Sequence, residues 1–365
     1  MPGRVRSVTA SPVSPTDGEF LTLDEIHAAA LRNLPADVAV YLESGAGTEQ
    51  TLRANREAFT RHVIKPKPMS GVNDPKTNTE FLGIPLAVPL LTAPFGGDAL
   101  FAPDGQLAVA RANAACGIAS IVPEVGSFSY EQVAAAAPAA ARIGQLHPFE
   151  SFDPVATRIE NAGYDVLCVT VDCATMGWRN RNKSARFTFD PGVWFGNAID
   201  DGEPNVASTF GGGIIPDWTW DQLAEATARH HLPWIAKGIL TPESAIQAVN
   251  AGASAILVSN HGGRQVDPAP ASLDALPDVA QAVQGKVPLL LDSGVRTGAD
   301  VFLALALGAS AVVIGRLAAY GLAAAGEHGV KRTIELLTSE LRTLMILAGV
   351  PDIPALTAGT AVARR

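Results

Sequence analysis

Cysteine is scarce in this 365-residue chain: Cys116, Cys168 and Cys173 are the whole complement. Their spacing fits neither a metal-ligand pattern nor a paired disulfide framework, and an odd number of thiols suits a reducing compartment. All three read as reduced and structural. Basic residues are also short, with 27 Lys and Arg against 36 Asp and Glu. The resulting net charge of −9 argues against a nucleic-acid partner, because neutralising phosphates requires a basic face. Small anions can still be held by a few local arginines. Long apolar runs are missing as well: no stretch of ~18 apolar residues could cross a membrane, and Met1 to Gly18 carries arginines without the apolar segment of a secretory leader. These absences predict a soluble, cytoplasmic protein with no membrane partner.

What is present is a large apolar share, 47% of the residues, laid out as a repeat. Residues 1–20, rich in Pro, Ser and Thr, read as a disordered arm, and 21–365 as one domain. Thr22 and Glu25 form a plausible capping box that opens a helix running to Leu34. A second short helix, Ala36 to Glu43, carries Tyr41 in its last turn. Buried strands are predicted at about Pro89–Ala93, Ala119–Val122, Arg142–Gln145, Val166–Val171, Trp234–Lys237, Ala255–Ser259, Pro288–Asp292 and Ala311–Ile314, alternating with alanine-rich helical stretches. Eight such strands, each followed by a helix, predict an α/β fold: a (β/α)8 TIM barrel with an N-terminal helical extension. One connection breaks the short-loop rule. Between Asn180 and about Asp217 no barrel element is predicted, so this loop after strand four reads as an active-site lid.

The polar residues of interest gather at strand ends, where a barrel keeps its chemistry. Gln145 closes strand three, Thr170 and Asp172 strand four, Lys237 strand five, Asp292 strand seven, and Gly315 with Arg316 strand eight. After strand six comes Ser259-Asn-His-Gly-Gly-Arg-Gln-Val-Asp267. Here His261 is a potential base and Arg264 a planar cation that can grip a carboxylate through two hydrogen bonds. Asp292-Ser-Gly-Val-Arg296 and Gly315-Arg316 follow the two strands that characteristically build a phosphate site. That pattern alone allows FMN, a sugar phosphate or a nucleotide. Lys237 favours a flavin, because a buried ammonium can stabilise the negative charge of its reduced ring.

Taken in order, Tyr41 before Ser44-Gly45-Ala46, Ala93-Pro94, Gln145, Thr170-Val-Asp172, Arg179, Ala236-Lys237-Gly238, the nonapeptide, Asp292 to Arg296 and Gly315-Arg316 resemble the FMN-dependent 2-hydroxy acid oxidase and dehydrogenase family, which includes glycolate, lactate and hydroxymandelate oxidases and mandelate dehydrogenase. The resemblance runs from about Leu21 to Ala348. It implies that FMN is held by Ala93, Pro94, Gln145, Thr170, Lys237, Ser259, Asp292, Gly294, Arg296, Gly315 and Arg316. It implies further that Tyr41, Arg179 and Arg264 hold the substrate carboxylate, that His261 is the base, and that Asp172 stabilises its protonated form. The expected partners are a 2-hydroxy acid, O2 or another electron acceptor, and further copies of the chain in a homo-oligomer, a tetramer by the resemblance. His261 could take the hydroxyl proton while the α-carbon gives up hydride, or take the α-proton to leave a carbanion; both remain open.

The chain departs from the family pattern at a few positions. Pro123 and His147 stand where a hydroxyl residue and a tyrosine are usual, and Ser293 replaces a usual glycine. Val125 takes the place of a bulky aromatic residue, which predicts room for a substrate larger than glycolate. His147 is expected beside the substrate oxygen, kept neutral by Lys237 and two arginines. These departures also leave room for an enzyme acting on a carrier-bound or peptide-like hydroxy acid. A non-redox isomerase like the type 2 isopentenyl diphosphate isomerases is opposed by the set Tyr41, Arg179, His261 and Arg264. An IMP-dehydrogenase-like reading needs a nucleophilic loop cysteine, whereas Cys168 and Cys173 lie within or beside strand four.

Overall fold

The computed structural model describes residues 20–149, 151–188, 191–197, 218–357 and 362–364, the last three by backbone alone. Eight parallel strands close into a barrel in chain order: β1 Leu90–Thr92, β2 Ala119–Val122, β3 Arg142–Leu146, β4 Val166–Thr170, β5 Trp234–Ile239, β6 Ala255–Val258, β7 Leu289–Leu291 and β8 Ala311–Ile314. With the exception of the half-buried Gly238, every residue of these strands is buried, as continuous apolar runs covered on both faces require. The inward set includes Leu91, Ile121, Ile143, Cys168, Leu257, Leu290 and Val313. A hairpin that the sequence did not announce, Thr79–Phe81 with Ile84–Leu86, adds Phe81, Ile84 and Leu86 to this cluster. Ala119, Val166, Ala255 and Ala311, the first residues of four strands, belong to the same cluster, so the hairpin plugs the N-terminal end of the barrel. Chemistry is thereby confined to the other end.

The predicted strand ends differ by a residue or two from those observed. β3 continues to Leu146 and β5 to Ile239, so neither Gln145 nor Lys237 is the last residue of its strand. In β5 the register shifts between Lys237 and Ile239. Gly238 at this point has φ +109, and a Cβ there would stand 2.6 Å from the Asp172 side chain. Glycine is therefore needed for strands four and five to bring Asp172 and Lys237 together.

The two N-terminal helices are Leu23–Asn33 and Ala36–Glu43. Thr22 caps the first by accepting from Glu25 N, while the Glu25 carboxylate returns to Leu21 N instead of the cap itself. A third helix, Gln50–Thr60, was not anticipated. Its Asn55 is buried and exchanges hydrogen bonds with Asn260 at 2.7 and 2.8 Å, which anchors the loop after β6. Each barrel strand leads into a helix, the last being Arg316–Ala348, broken at Ala325–Gly326. In the long connection two short elements form, neither of them part of the barrel: a helix at Asn180–Ser184 and a 3-10 turn at Pro191–Trp194. Residues 189–190 and 198–217 of the expected lid and residues 1–19 of the expected arm lie outside the described residues. Among the described residues no helix is long and apolar enough to cross a membrane.

Candidate active site

The loop after β6 turns sharply, with His261, Gly262 and Gly263 all left-handed at φ 59, 67 and 74. A histidine in this region is strained by about 1 kcal/mol or more, so it persists only where its surroundings fix it. The fixing bonds are visible. Ser259 Oγ accepts from His261 N at 3.1 Å, Ser293 Oγ accepts from Gly262 N at 2.9 Å, and Asn260 Oδ1 accepts from Gly263 N at 3.0 Å. Ser293 is itself left-handed at φ 74, which explains why glycine suits the position. Its hydroxyl compensates by donating to Asp292 Oδ1 and tying the β6 and β7 loops together.

The His261 imidazole meets three groups through one nitrogen. Nδ1 lies 3.3 Å from Asp172 Oδ1, 3.4 Å from Lys237 Nζ and 3.4 Å from Cys173 Sγ. Burial first, and Lys237 second, depress the imidazole to about 4, against the pull of Asp172. Neutral imidazole therefore prevails at pH 7. Burial opposes charge on Lys237 too, but Asp172 and Asp292 outweigh it and hold the ammonium charged. Burial pushes the Asp172 carboxyl up, yet Lys237 and His261 bring it below the usual carboxylate range. A neutral base thus sits against a fixed carboxylate, ready to stabilise a proton once it arrives.

Above this pair stand two cations. Arg264 Nη1 donates to the carbonyls of Tyr41 and Ser44 at 2.7 and 2.9 Å, and its guanidinium carbon lies 4.7 Å from the Tyr41 ring centre. Arg179 Nε reaches Arg264 O at 3.4 Å. Burial, then the neighbouring Arg179, press the Arg264 guanidinium well below its ordinary value. Among the described residues no carboxylate pairs with either arginine. Two guanidiniums brought together in this way call for an anion.

Arg264, Arg179, Tyr41, His261 and Lys237 all open on one cavity of about 830 Å³ at the C-terminal end of the barrel. Of the residues expected to hold FMN, Ala93, Pro94, Gln145, Thr170, Lys237, Asp292, Gly294, Arg296, Gly315 and Arg316 lie on its wall. Ser259 is not on that wall: it is fully buried, and its hydroxyl accepts from the His261 amide. The remaining set fits the cofactor. Thr170 Oγ1 is buried on this wall without a hydrogen-bond partner, an orphan that a ring amide or carbonyl would satisfy. Arg316 already donates to the carbonyls of Leu42, Ser44 and Gly262, which aims its guanidinium and leaves two of its five N–H groups for a phosphate.

His147 departs from expectation. It lines the cavity, and a carboxylate that the sequence reading did not place there lies against its ring. Nδ1 lies 2.7 Å from Glu124 Oε2, which also accepts from His147 N at 2.8 Å, and the ring stacks on Phe149. Glu124 was not foreseen, because a carboxylate two residues past a core strand gives no sign of which loop it will meet. Pro123 is not on the wall, whereas Val125 is. Cys173, read as structural, lines the cavity against His261, and its proximity to Asp172 in sequence was the available signal. Phe101, Phe187 and Trp194, none of them singled out beforehand, surround Tyr41, and Phe95 packs against Phe101. Phe187 stacks on its ring at 4.7 Å and Trp194 meets it edge-on at 5.9 Å.

Known proteins share this arrangement. Residues 30–363 match the FMN-dependent dehydrogenase family. A peroxisomal (S)-2-hydroxyacid oxidase of Arabidopsis thaliana is 37% identical over 347 residues, covering 93% of this chain and 95% of that protein. An L-lactate oxidase of Lysinibacillus sphaericus is 38% identical over 355 residues, covering 93% and 92%. A crystal structure of mandelate oxidase with benzoyl-formic acid superposes with a TM-score of 0.86 at 34% identity, covering 95% of this chain and 99% of that one. With this barrel, this cavity and likeness over nearly its whole described length, the chain belongs to the FMN-dependent 2-hydroxy acid oxidase family.

Proposed function

We propose that this enzyme oxidises a 2-hydroxy acid with an aryl or branched side chain to the 2-oxo acid, and passes the electrons to O2. The observation that carries the reading is the pair of adjacent, partly buried guanidiniums of Arg264 and Arg179, without a carboxylate partner among the described residues, above a neutral His261 in the same cavity as Lys237. Arg264, Arg179 and the Tyr41 phenol orient the substrate carboxylate, which places the α-carbon hydroxyl toward His261. His261 takes the proton through Nε2, the nitrogen not engaged by Asp172, and Asp172 stabilises the imidazolium that results. FMN supplies the two-electron acceptor. Ala93, Pro94, Gln145, Thr170, Asp292 and Gly294 would line its ring and chain, and Arg296, Gly315 and Arg316 would hold its phosphate. Lys237, kept charged, would face the ring and offset the negative charge gained on reduction.

The side-chain preference rests on the wall. Val125, Phe95, Phe101, Phe187 and Trp194 make an apolar pocket beside the carboxylate grip, with cover drawn from the connection after β4 through Asn182, Arg186 and Phe187. O2 as acceptor is supported by the relatives, which are named as oxidases. The same carboxylate grip disfavours a non-redox isomerase. We place the enzyme in the cytoplasm as a homo-oligomer, in keeping with three free thiols. The test is anaerobic flavin bleaching by glycolate, lactate and mandelate. Mandelate is expected to reduce the flavin fastest; a clear preference for glycolate overturns the substrate assignment, and absence of bleaching by any 2-hydroxy acid overturns the reaction.

A further inference from the structure

We propose that Asp172, Cys173 and His261 form a binding site for a thiophilic divalent cation, zinc or cadmium, whose occupation switches the catalytic base off. The proposal rests on the reading of His261 as that base. Their three donor atoms make a small triangle: Asp172 Oδ1 to His261 Nδ1 is 3.3 Å, Cys173 Sγ to His261 Nδ1 is 3.4 Å, and Cys173 Sγ to Asp172 Oδ1 is 3.5 Å. In tetrahedral zinc, with Zn–S ~2.3 Å and Zn–N or Zn–O ~2.0–2.1 Å, neighbouring donor atoms stand about 3.3–3.6 Å apart. One face of a tetrahedron is therefore already built. Sulfur, imidazole and carboxylate form a donor set suited to zinc. A second observation points the same way: Asp172 Oδ2 is buried and has no hydrogen-bond partner among the described residues, which leaves half of this carboxylate for a ligand.

The charge arithmetic is also acceptable. A dication that displaces the Cys173 proton meets one thiolate and one carboxylate, and the filled site is neutral. Lys237 Nζ, 3.4 Å from His261 Nδ1, and the more distant Arg179 oppose entry, but Lys237 retains Asp292 as a counter-carboxylate. Occupation alters the base directly. Nδ1 would give its lone pair to the metal, so a neutral ring must carry its proton on Nε2, the nitrogen that would otherwise accept from the substrate. Arg264, Arg179 and Tyr41 are not ligands, so the substrate carboxylate can still be held. The expected signature is a fall in the rate of flavin reduction rather than a loss of carboxylate binding.

The holoenzyme is titrated with cadmium and followed by its thiolate-to-cadmium ultraviolet band against the metal-free holoenzyme, and separately by anaerobic flavin reduction with and without zinc. We expect one cation per chain, a band present in wild type and in Cys116→Ser but lost in Cys173→Ala and Cys173→Ser, and zinc inhibition that is reversed by chelator and weakened at least tenfold by both Cys173 substitutions. No band in wild type, or a band and inhibition that survive Cys173→Ala, overturns the site. A Cys173-dependent band with an unchanged reduction rate would leave the metal site standing and overturn the switch, because His261 would then not be the base.

Discussion

Two imidazole–carboxylate pairs border one cavity, and they differ in what surrounds them. His147 and Glu124 are sealed, with side chains 5% and 6% exposed and 2.7 Å between their atoms, and the same carboxylate oxygen also holds the His147 amide. His261 and Asp172 are more open, 27% and 14% exposed, and 3.3 Å apart, with Lys237 close to both. The tight pair braces the loop after β2 against the end of β3, while the loose pair has a lone-pair nitrogen held neutral by burial and a nearby cation. Pairing a histidine with a carboxylate therefore does not make a base. On the proposed function, what suits His261 to the role is burial and the nearby Lys237, which suppress its resting protonation while Asp172 waits for the proton to arrive.

The comparison breaks most sharply if the two histidines are exchanged for the same residue. His261→Asn should lower the rate of flavin reduction by about 10²–10⁴-fold while FMN remains bound. His147→Asn should lower it by less than about tenfold and instead reduce the melting temperature, since it leaves Glu124 buried without its imidazole, a loss of about 1–3 kcal/mol. Stopped-flow reduction and thermal melts of both variants check this. Equal kinetic losses would give both pairs the same role.

A smaller effect is expected at the carboxylate grip. Arg264→Lys keeps the charge but loses the planar fork, so kcat/KM for the hydroxy acid should fall by about 10- to 100-fold, the equivalent of about 1.5–3 kcal/mol of charge-assisted hydrogen bonding. Steady-state kinetics with saturating O2 measure it. A change under about twofold would remove Arg264 from the substrate site.

The pH profile tests the loose pair without substitution. Protonation of His261 removes the base, so activity is lost as pH falls through its pKa. Burial and Lys237 lower that value to about 4 from the ordinary ~6.5. The kcat/KM profile should then be free of an acidic limb between about pH 5 and 7. A limb near the ordinary histidine value would show that the cations do not suppress resting protonation.

Much of the fold was legible because a parallel barrel writes itself as eight short apolar runs, and the placement of Thr170, Lys237, Asp292 and Gly315 within two residues of a strand end follows from that periodicity. The hairpin at Thr79–Phe81 and Ile84–Leu86 was not legible, because three-residue strands carry too little pattern. Nor was the helix at Gln50–Thr60, whose polar sequence conceals a buried Asn55. In the site, His261, Arg264, Arg179 and Tyr41 were read from motifs and do converge on one cavity. Glu124 and Cys173 escaped, since their significance lies in contacts between loops that no local pattern encodes.

The finest test replaces only the charge of each carboxylate. Asp172→Asn keeps an oxygen near His261 Nδ1 but removes the negative charge that opposes Lys237 and receives the imidazolium. Burial and Lys237 would then press the ring further from protonation with nothing to offset them, so flavin reduction should slow by at least about tenfold. Glu124→Gln also keeps an oxygen that can accept from His147 N and Nδ1. On the proposal that this pair gains no proton in the reaction, the amide should serve nearly as well, and reduction should change by less than about threefold, with melting lowered by no more than the difference between a charged and a neutral hydrogen bond, about 1 kcal/mol. The two isosteric substitutions thus ask one question of two pairs: whether the carboxylate is needed for its shape or for its charge. A large kinetic effect of Glu124→Gln would mean that His147 changes its protonation during turnover, and would make the second pair a participant in proton movement instead of a brace.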